Sequence, residues 1–211
     1  MAVQNVVKEY VQANLSGRLG ASNWVQPAYR AIAAEVDLDE GAFLDLGSHG
    51  GWVCIHVASG KPELDAIGIV EDEEAGHRAD THKERRLNVT FRVMDAATIT
   101  YPEHTFQVVL AHAIVPEWPD IAAVLTEVHR VLTPGGRMLV YDPQPEAEIP
   151  DGWVERKGAW PPEGLIRRHL RKGAMSDDQW NTLKAAIKDS PFGGGQEGTH
   201  GFYRRLVLEK A

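Results

Sequence analysis

Between residues 42 and 142 the chain spells five short apolar runs: AFLDLG (42–47), DAIGIV (65–70), NVTFRVMDA (88–96), QVVLAHAIV (107–115) and RMLVYD (137–142). Most of the intervals between them are long enough for a helix. This alternation constrains the fold more than any other feature, because parallel strands need a long crossover and a helix is the usual one. The expected class is α/β. The clearest crossover covers residues 120–132, where Ile121, Val124, Leu125, Val128, Val131 and Leu132 form one stripe, Pro119 stands near the start and TPGG is the stop. Further helices are expected over residues 27–36 and 176–188, the latter capped by Ser176 or Asp177, and a short amphipathic one runs from Val3 to near Leu15. GFYRRLVLEK (201–210) alternates enough for a closing strand, and GGGQEG (193–198) reads as a flexible turn into it.

A length of 211 residues suits one domain, spanning 1–211, with residues 1–36 as an N-terminal helical cap. Residues 143–176 break the alternation with proline, charge and tryptophan, and are expected to form an irregular lid or acceptor segment. The formal net charge of −8 offers no long-range attraction to phosphate backbones or anionic lipid, which argues against nucleic acid and membrane partners and for a small molecule. MAVQNVVKEYVQANL lacks the basic-then-apolar order of a leader, and no window reaches the ~18 apolar residues needed to cross a bilayer. The lone Cys54 sits in an apolar run, so a soluble, unprocessed protein of the reducing cytoplasm is expected. The nine histidines show no HxH, HxxxH or HExxH spacing, so no metal site is expected. The oligomeric state stays open, a homodimer included.

In an open α/β sheet, ligands bind beyond the carboxyl ends of the strands, and here the turn after the first run is DLGSHGG. Its glycines can take positive φ and bring backbone N–H groups close to a ligand, while Asp45 can accept hydrogen bonds. A glycine-rich turn with no binding role has the same appearance. The turn matches neither GxxxxGK[ST] nor GxGxxG.

Four segments, FLDLGSHGGW, FRVMDAATITYPEHTFQVVLAHAIVPEWPD, LTEVHRVLTPGGRMLVYDP and FYRRLVLEK, resemble the class I S-adenosylmethionine-dependent methyltransferases, in particular those of ubiquinone and menaquinone biosynthesis. They follow that family's order and spacing over roughly residues 42–142 plus the closing strand. The resemblance implies a Rossmann-like three-layer sandwich whose seven-stranded, mostly parallel sheet has an antiparallel last strand. It also implies S-adenosyl-L-methionine as cofactor. Asp45, Gly47, Ser48, His49 and Gly51 fall in the loop that would hold its methionine part, and Asp95 with Ala96 at the adenine position.

Three positions depart from the family pattern. His49 stands where the middle glycine of the loop is usual, with Gly50 beside it as a second source of backbone freedom. Val70 stands where an acid grips the ribose, so the carboxylate comes late, as Glu71 or Asp72; strand parity favours Asp72. Gln107 replaces an aspartate.

Methyl transfer needs an oriented acceptor and exclusion of water rather than a catalytic triad. His112 and Tyr141, at the ends of the fourth and fifth strands, are the candidate acceptor-side residues, His112 being either a base or a packed strand-end histidine that touches cofactor or backbone. Asp142, Glu117 and Trp118 lie nearby in sequence. Trp153 and Trp160 are either an aromatic lid or anchors for a long loop. LIRRHLRK (165–172) is either an anion-binding cluster or a solvated helix face. Two functions follow: methyl transfer to a small-molecule acceptor, or a protein that kept this fold after losing transfer, as a binding or regulatory partner or a passive user of the cofactor.

Overall fold

The computed structural model describes residues 24–48, 50–83 and 86–211. The helix expected near residues 3–15 and the cofactor-loop residue His49 lie outside the described residues.

The frame is one sheet of β1 (Gly41–Leu46), β2 (Leu64–Val70), β3 (Val89–Val93), β4 (Phe106–His112), β5 (Leu132–Pro143), β6 (Gln196–His200) and β7 (Tyr203–Glu209), ordered β3-β2-β1-β4-β5-β7-β6. All five apolar runs are strands. Strands β1 to β5 are mutually parallel, and β7 is antiparallel to both of its neighbours, so six strands point one way and one the other. This is the expected Rossmann-like arrangement.

Among the described residues six α-helices cover it: α1 (Gln26–Ala34), α2 (Trp52–Ala58), α3 (Glu73–Lys83), α4 (Ile121–Val131), α5 (Glu163–Leu170) and α6 (Asp177–Asp189). Side chains alternate across a strand, so Leu44 and Leu46 enter one core with α4 and α6, whereas Phe43 enters the opposite core with α1, α2 and α5. Asp45 shares the parity of Phe43 and reaches the carboxyl end of β1 on the α1–α2 side. The crossover expected at 120–132 is α4, capped by Asp120, whose side chain accepts from the Ala123 N–H at 3.0 Å. Ser176 caps α6 in a reciprocal box with Gln179.

Two expectations are corrected. Residues 196–198, read as the end of a flexible turn over 193–198, begin the edge strand β6; its side chains are exposed or half-exposed, so no alternating apolar signal marks it. The segment 143–176 is not wholly irregular, for it contains α5, which Ile166 and Leu170, one turn apart and buried, pin to the core. A helix was one of the two readings of the basic run at 165–172; the structure gives it a buried face as well as a solvated one.

Both ends of that segment are stitched to the sheet at one place. Asp142, fully buried on β5, accepts from Arg204 Nε at 2.7 Å and from the Met175 N–H at 2.8 Å. Arg204, on β7, also donates to the carbonyls of Met175 and Ser176 and lies over the Trp180 ring. Burial pushes the Asp142 carboxyl up, and these hydrogen bonds oppose the shift.

Candidate active site

The strand order reverses between β1 and β4, and a cavity of about 280 Å³ opens beyond their carboxyl ends. Asp45, Gly47, Ser48, Gly50 and Gly51 form one wall. His112, Ala113 and Glu117 come from the end of β4 and the turn after it, Tyr29 from α1, and Tyr203 from β7. The end of α5 brings His169 and Lys172.

The loop after β1 is shaped by two left-handed glycines. Gly47 has φ +80°, and a Cβ there would lie 2.3 Å from Ile114 Cγ1; Gly51 has φ +74°, and its Cβ would lie 2.4 Å from Phe91 Cζ. No side chain fits either place. Gly50, expected to stand in for the missing glycine, is not left-handed; what its bareness permits is the approach of Trp52, whose Cδ1 a Cβ would meet at 3.1 Å.

Asp45 is buried, and burial raises its carboxyl to about 7 while the Ser48 hydroxyl works the other way. Ser48 Oγ is itself buried and, among the described residues, has no partner at hydrogen-bonding geometry. A carboxyl that burial holds partly protonated beside an unsatisfied hydroxyl is suited to a cationic donor such as an ammonium group.

His112 borders the cavity with its Nε2 3.1 Å from the Tyr203 hydroxyl, and its ring meets Tyr29 and Tyr203 edge to face. Burial pushes the Tyr29 hydroxyl up to about 12 and raises that of Tyr203 well above its usual value, so both keep their protons. Tyr141 does not come to the cavity. It is paired in register with His112 and shares its face, but its hydroxyl donates to Glu35 Oε2 at 2.7 Å, deep under α1. Parity fixes the face of a strand residue and not the direction in which its side chain leans, and Tyr141 leans away from the strand end.

The remaining expected residues lie outside the cavity wall. Val70 is buried at the end of β2. Asp72 is committed to α3, its Oδ1 accepting from the Ala75 N–H at 2.7 Å, whereas Glu71 is exposed. Asp95 is also exposed and turns its Oδ1 to the Ala97 N–H at 2.8 Å, with Ala96 half-buried beside it. Trp118 packs against the α4–α6 core. Trp153 packs on Phe202 and His200, the anchoring geometry of the two considered.

Sequence reasoning missed Tyr29 and Tyr203 as cavity residues, and held His169 and Lys172 only as members of a basic cluster with two readings, anion binding or a solvated helix face. The basic run divides: Arg167 and Arg171 pair with Glu163 and Glu146, while His169 and Lys172 face the cavity. Burial lowers the His169 imidazole to about 4, with the Lys172 charge adding to it, so His169 is neutral at pH 7. Nothing local marks Tyr29 and Tyr203, and the grouping of all four depends on where α1, α5 and β7 dock. Among the described residues no cluster of His, Cys, Asp or Glu could hold a metal, and no helix is long and apolar enough to cross a membrane.

A family model described as a methyltransferase domain matches residues 43–136, from β1 through the stop after α4. That segment is similar to the methyltransferase domain of the class I S-adenosylmethionine-dependent enzymes. The chain is 29% identical over 152 residues to a fatty-acid O-methyltransferase of Mycolicibacterium smegmatis, covering 67% of this chain and 51% of that one. It is 27% identical over 119 residues to the ubiquinone/menaquinone biosynthesis C-methyltransferase of Desulfotalea psychrophila, covering 56% and 47%. The chain thus spans about half the length of these curated relatives. The crystal structure of a candidate S-adenosyl-L-methionine-dependent methyltransferase from Methanococcus maripaludis superposes with a TM-score of 0.73 at 13% identity, covering 97% of this chain and 91% of that one, a likeness of fold.

Proposed function

We propose that this chain binds S-adenosyl-L-methionine and transfers its methyl group to a small-molecule acceptor. The observation that carries the reading is the cavity at the switch point, where a buried Asp45, two obligatory glycines and His112 face one space. The residues present fit the cofactor. Asp45 and Ser48 offer acceptors for an ammonium group, and the bare backbone at Gly47 and Gly51 allows close approach. Of the late carboxylates, Glu71 is the one left free of a helix cap to meet the ribose, and Asp95 with Ala96 stands at the adenine position.

When bound, the cofactor supplies a methyl group already activated on sulfonium, so the chain has only to position the acceptor and keep water out. His112 would take the acceptor's proton at a ring nitrogen. Tyr203, held protonated by burial, orients that imidazole through the hydroxyl at its Nε2. Tyr29 braces the ring from its other side. The acceptor class is small, as in the named relatives, which act on a fatty acid and in quinone biosynthesis.

Calorimetric titration with S-adenosylhomocysteine tests the reading. Binding is expected, weakened about tenfold or more in Asp95→Ala through loss of a hydrogen bond. No heat at millimolar ligand overturns it, and binding without turnover of any acceptor in a small-molecule panel favours the transfer-less alternative.

A further inference from the structure

His82 lies on α3, outside the cavity wall, yet it touches two residues that form that wall. Its Nδ1 is 2.8 Å from the Gly50 carbonyl oxygen. Its ring is stacked on Trp52, centroids 4.4 Å apart and planes 24° from parallel. Both Gly50 and Trp52 line the cavity. A carbonyl oxygen can only accept, so Nδ1 must carry hydrogen here.

The rest of the loop is tied to the sheet and to itself: the Ser48 N–H donates to Ile69 O at 2.8 Å and the Gly51 N–H to Ser48 O at 3.0 Å. Those bonds leave the Gly50 carbonyl aside. Among the described residues, the side-chain hydrogen bond to it comes from His82. Gly50 is not left-handed, so its own backbone does not enforce the bend that Gly47 and Gly51 enforce. An external tether at this point therefore fixes what the local sequence leaves loose.

We propose that His82 is a positioning residue for the cofactor loop: by donating Nδ1–H to the Gly50 carbonyl and stacking on Trp52, it holds Gly50 and Gly51 in their ligand-receiving shape. The inference rests on the proposed function only in taking S-adenosylmethionine as the ligand of that loop. His82 meets neither cofactor nor acceptor and acts through Gly50 and Trp52.

Two substitutions separate the donor from the ring. In His82→Asn the side-chain amide nitrogen is as many bonds from Cα as Nδ1, so the donor is kept and the ring lost; His82→Phe keeps a stacking ring and loses the donor. We expect His82→Phe to weaken S-adenosylhomocysteine binding about tenfold by calorimetry, and His82→Asn to recover it to within about threefold of the parent. A tenfold loss corresponds to one charge-free hydrogen bond. In the ligand-free protein, amide hydrogen exchange over residues 48–53 is expected to quicken at least fivefold in His82→Phe and to return towards the parent rate in His82→Asn. Parent-like exchange in His82→Phe, or an Asn variant as impaired as the Phe variant, overturns the proposal. Because the exchange measurement needs no ligand, it decides the role of His82 even if S-adenosylhomocysteine fails to bind the parent protein, a result that would count against the proposed function instead.

Discussion

At the scale of single residues, Asp45 sets a pH dependence that can be signed. Its carboxyl is raised from 3.8 to about 7 by burial, so the folded state binds the proton more tightly than the unfolded one. The associated stability is fully present below pH ~4 and is lost as pH rises through about 7, at about 1.4 kcal/mol per pH unit in between. The ligand-free protein should therefore lose stability relative to Asp45→Asn between pH 5 and pH 7, by about 2 kcal/mol. Urea unfolding of both proteins at several pH values measures it, and parallel curves would refute the assignment. The sequence placed Asp45 in the loop after the first strand without revealing its burial. It misplaced Tyr141 for the reciprocal reason: its position at a strand end was legible, whereas the Glu35 carboxylate that draws the hydroxyl under α1 belongs to a distant turn.

At the scale of elements, α4 links the best-read part of the sequence to the proposed adenine position. Its Glu127 accepts from the Ile99 N–H at 2.9 Å, and its Arg130 donates to Ile99 O at 2.7 Å and Tyr101 O at 2.9 Å. The two side chains also pair with each other at 2.8 Å. The helix thereby grips the backbone just after Asp95 and Ala96, which gives the EVHR stretch a physical purpose that its apolar stripe alone did not disclose. Arg130→Ala should cost about 2 kcal/mol by removing two carbonyl partners and stranding Glu127, read as a shift in the urea midpoint at unchanged slope. An unshifted midpoint would mean that the grip is idle. The stripe and the cap of this helix were legible because they are local and periodic. Strand β6 was not, because an edge strand of polar residues carries no period; α5 was legible only as one reading of a basic run and not as a packed helix, because it shows only two core positions.

At the scale of the whole molecule, strand order sets a gradient of protection. Strands β1, β4 and β5 have partners on both sides and lie between two helical layers, whereas β3 and β6 are edges, and Val93 on β3 is 47% exposed. Amide exchange should be slowest in β1, β4 and β5 and faster by at least tenfold in β3 and β6. Equal rates across the sheet would contradict this. The topology was legible because crossovers of that length permit few alternatives. The cavity was legible in the β1 loop and at His112, half-legible at His169 and Lys172 as one of two readings of a basic run, and illegible at Tyr29 and Tyr203, which converge from distant parts of the chain.

The bond between Asp142 and Arg204 has a historical consequence. It closes the excursion over residues 143–175 at its base, so the chain leaves β5 and enters α6 at one knot. A stretch fastened in this way can be rewritten, lengthened or traded among descendants while the strands keep their register. His169 and Lys172 lie inside it. Evolution could thus alter what the pocket accepts by editing one appendage and leave the machinery on the opposite wall as inherited.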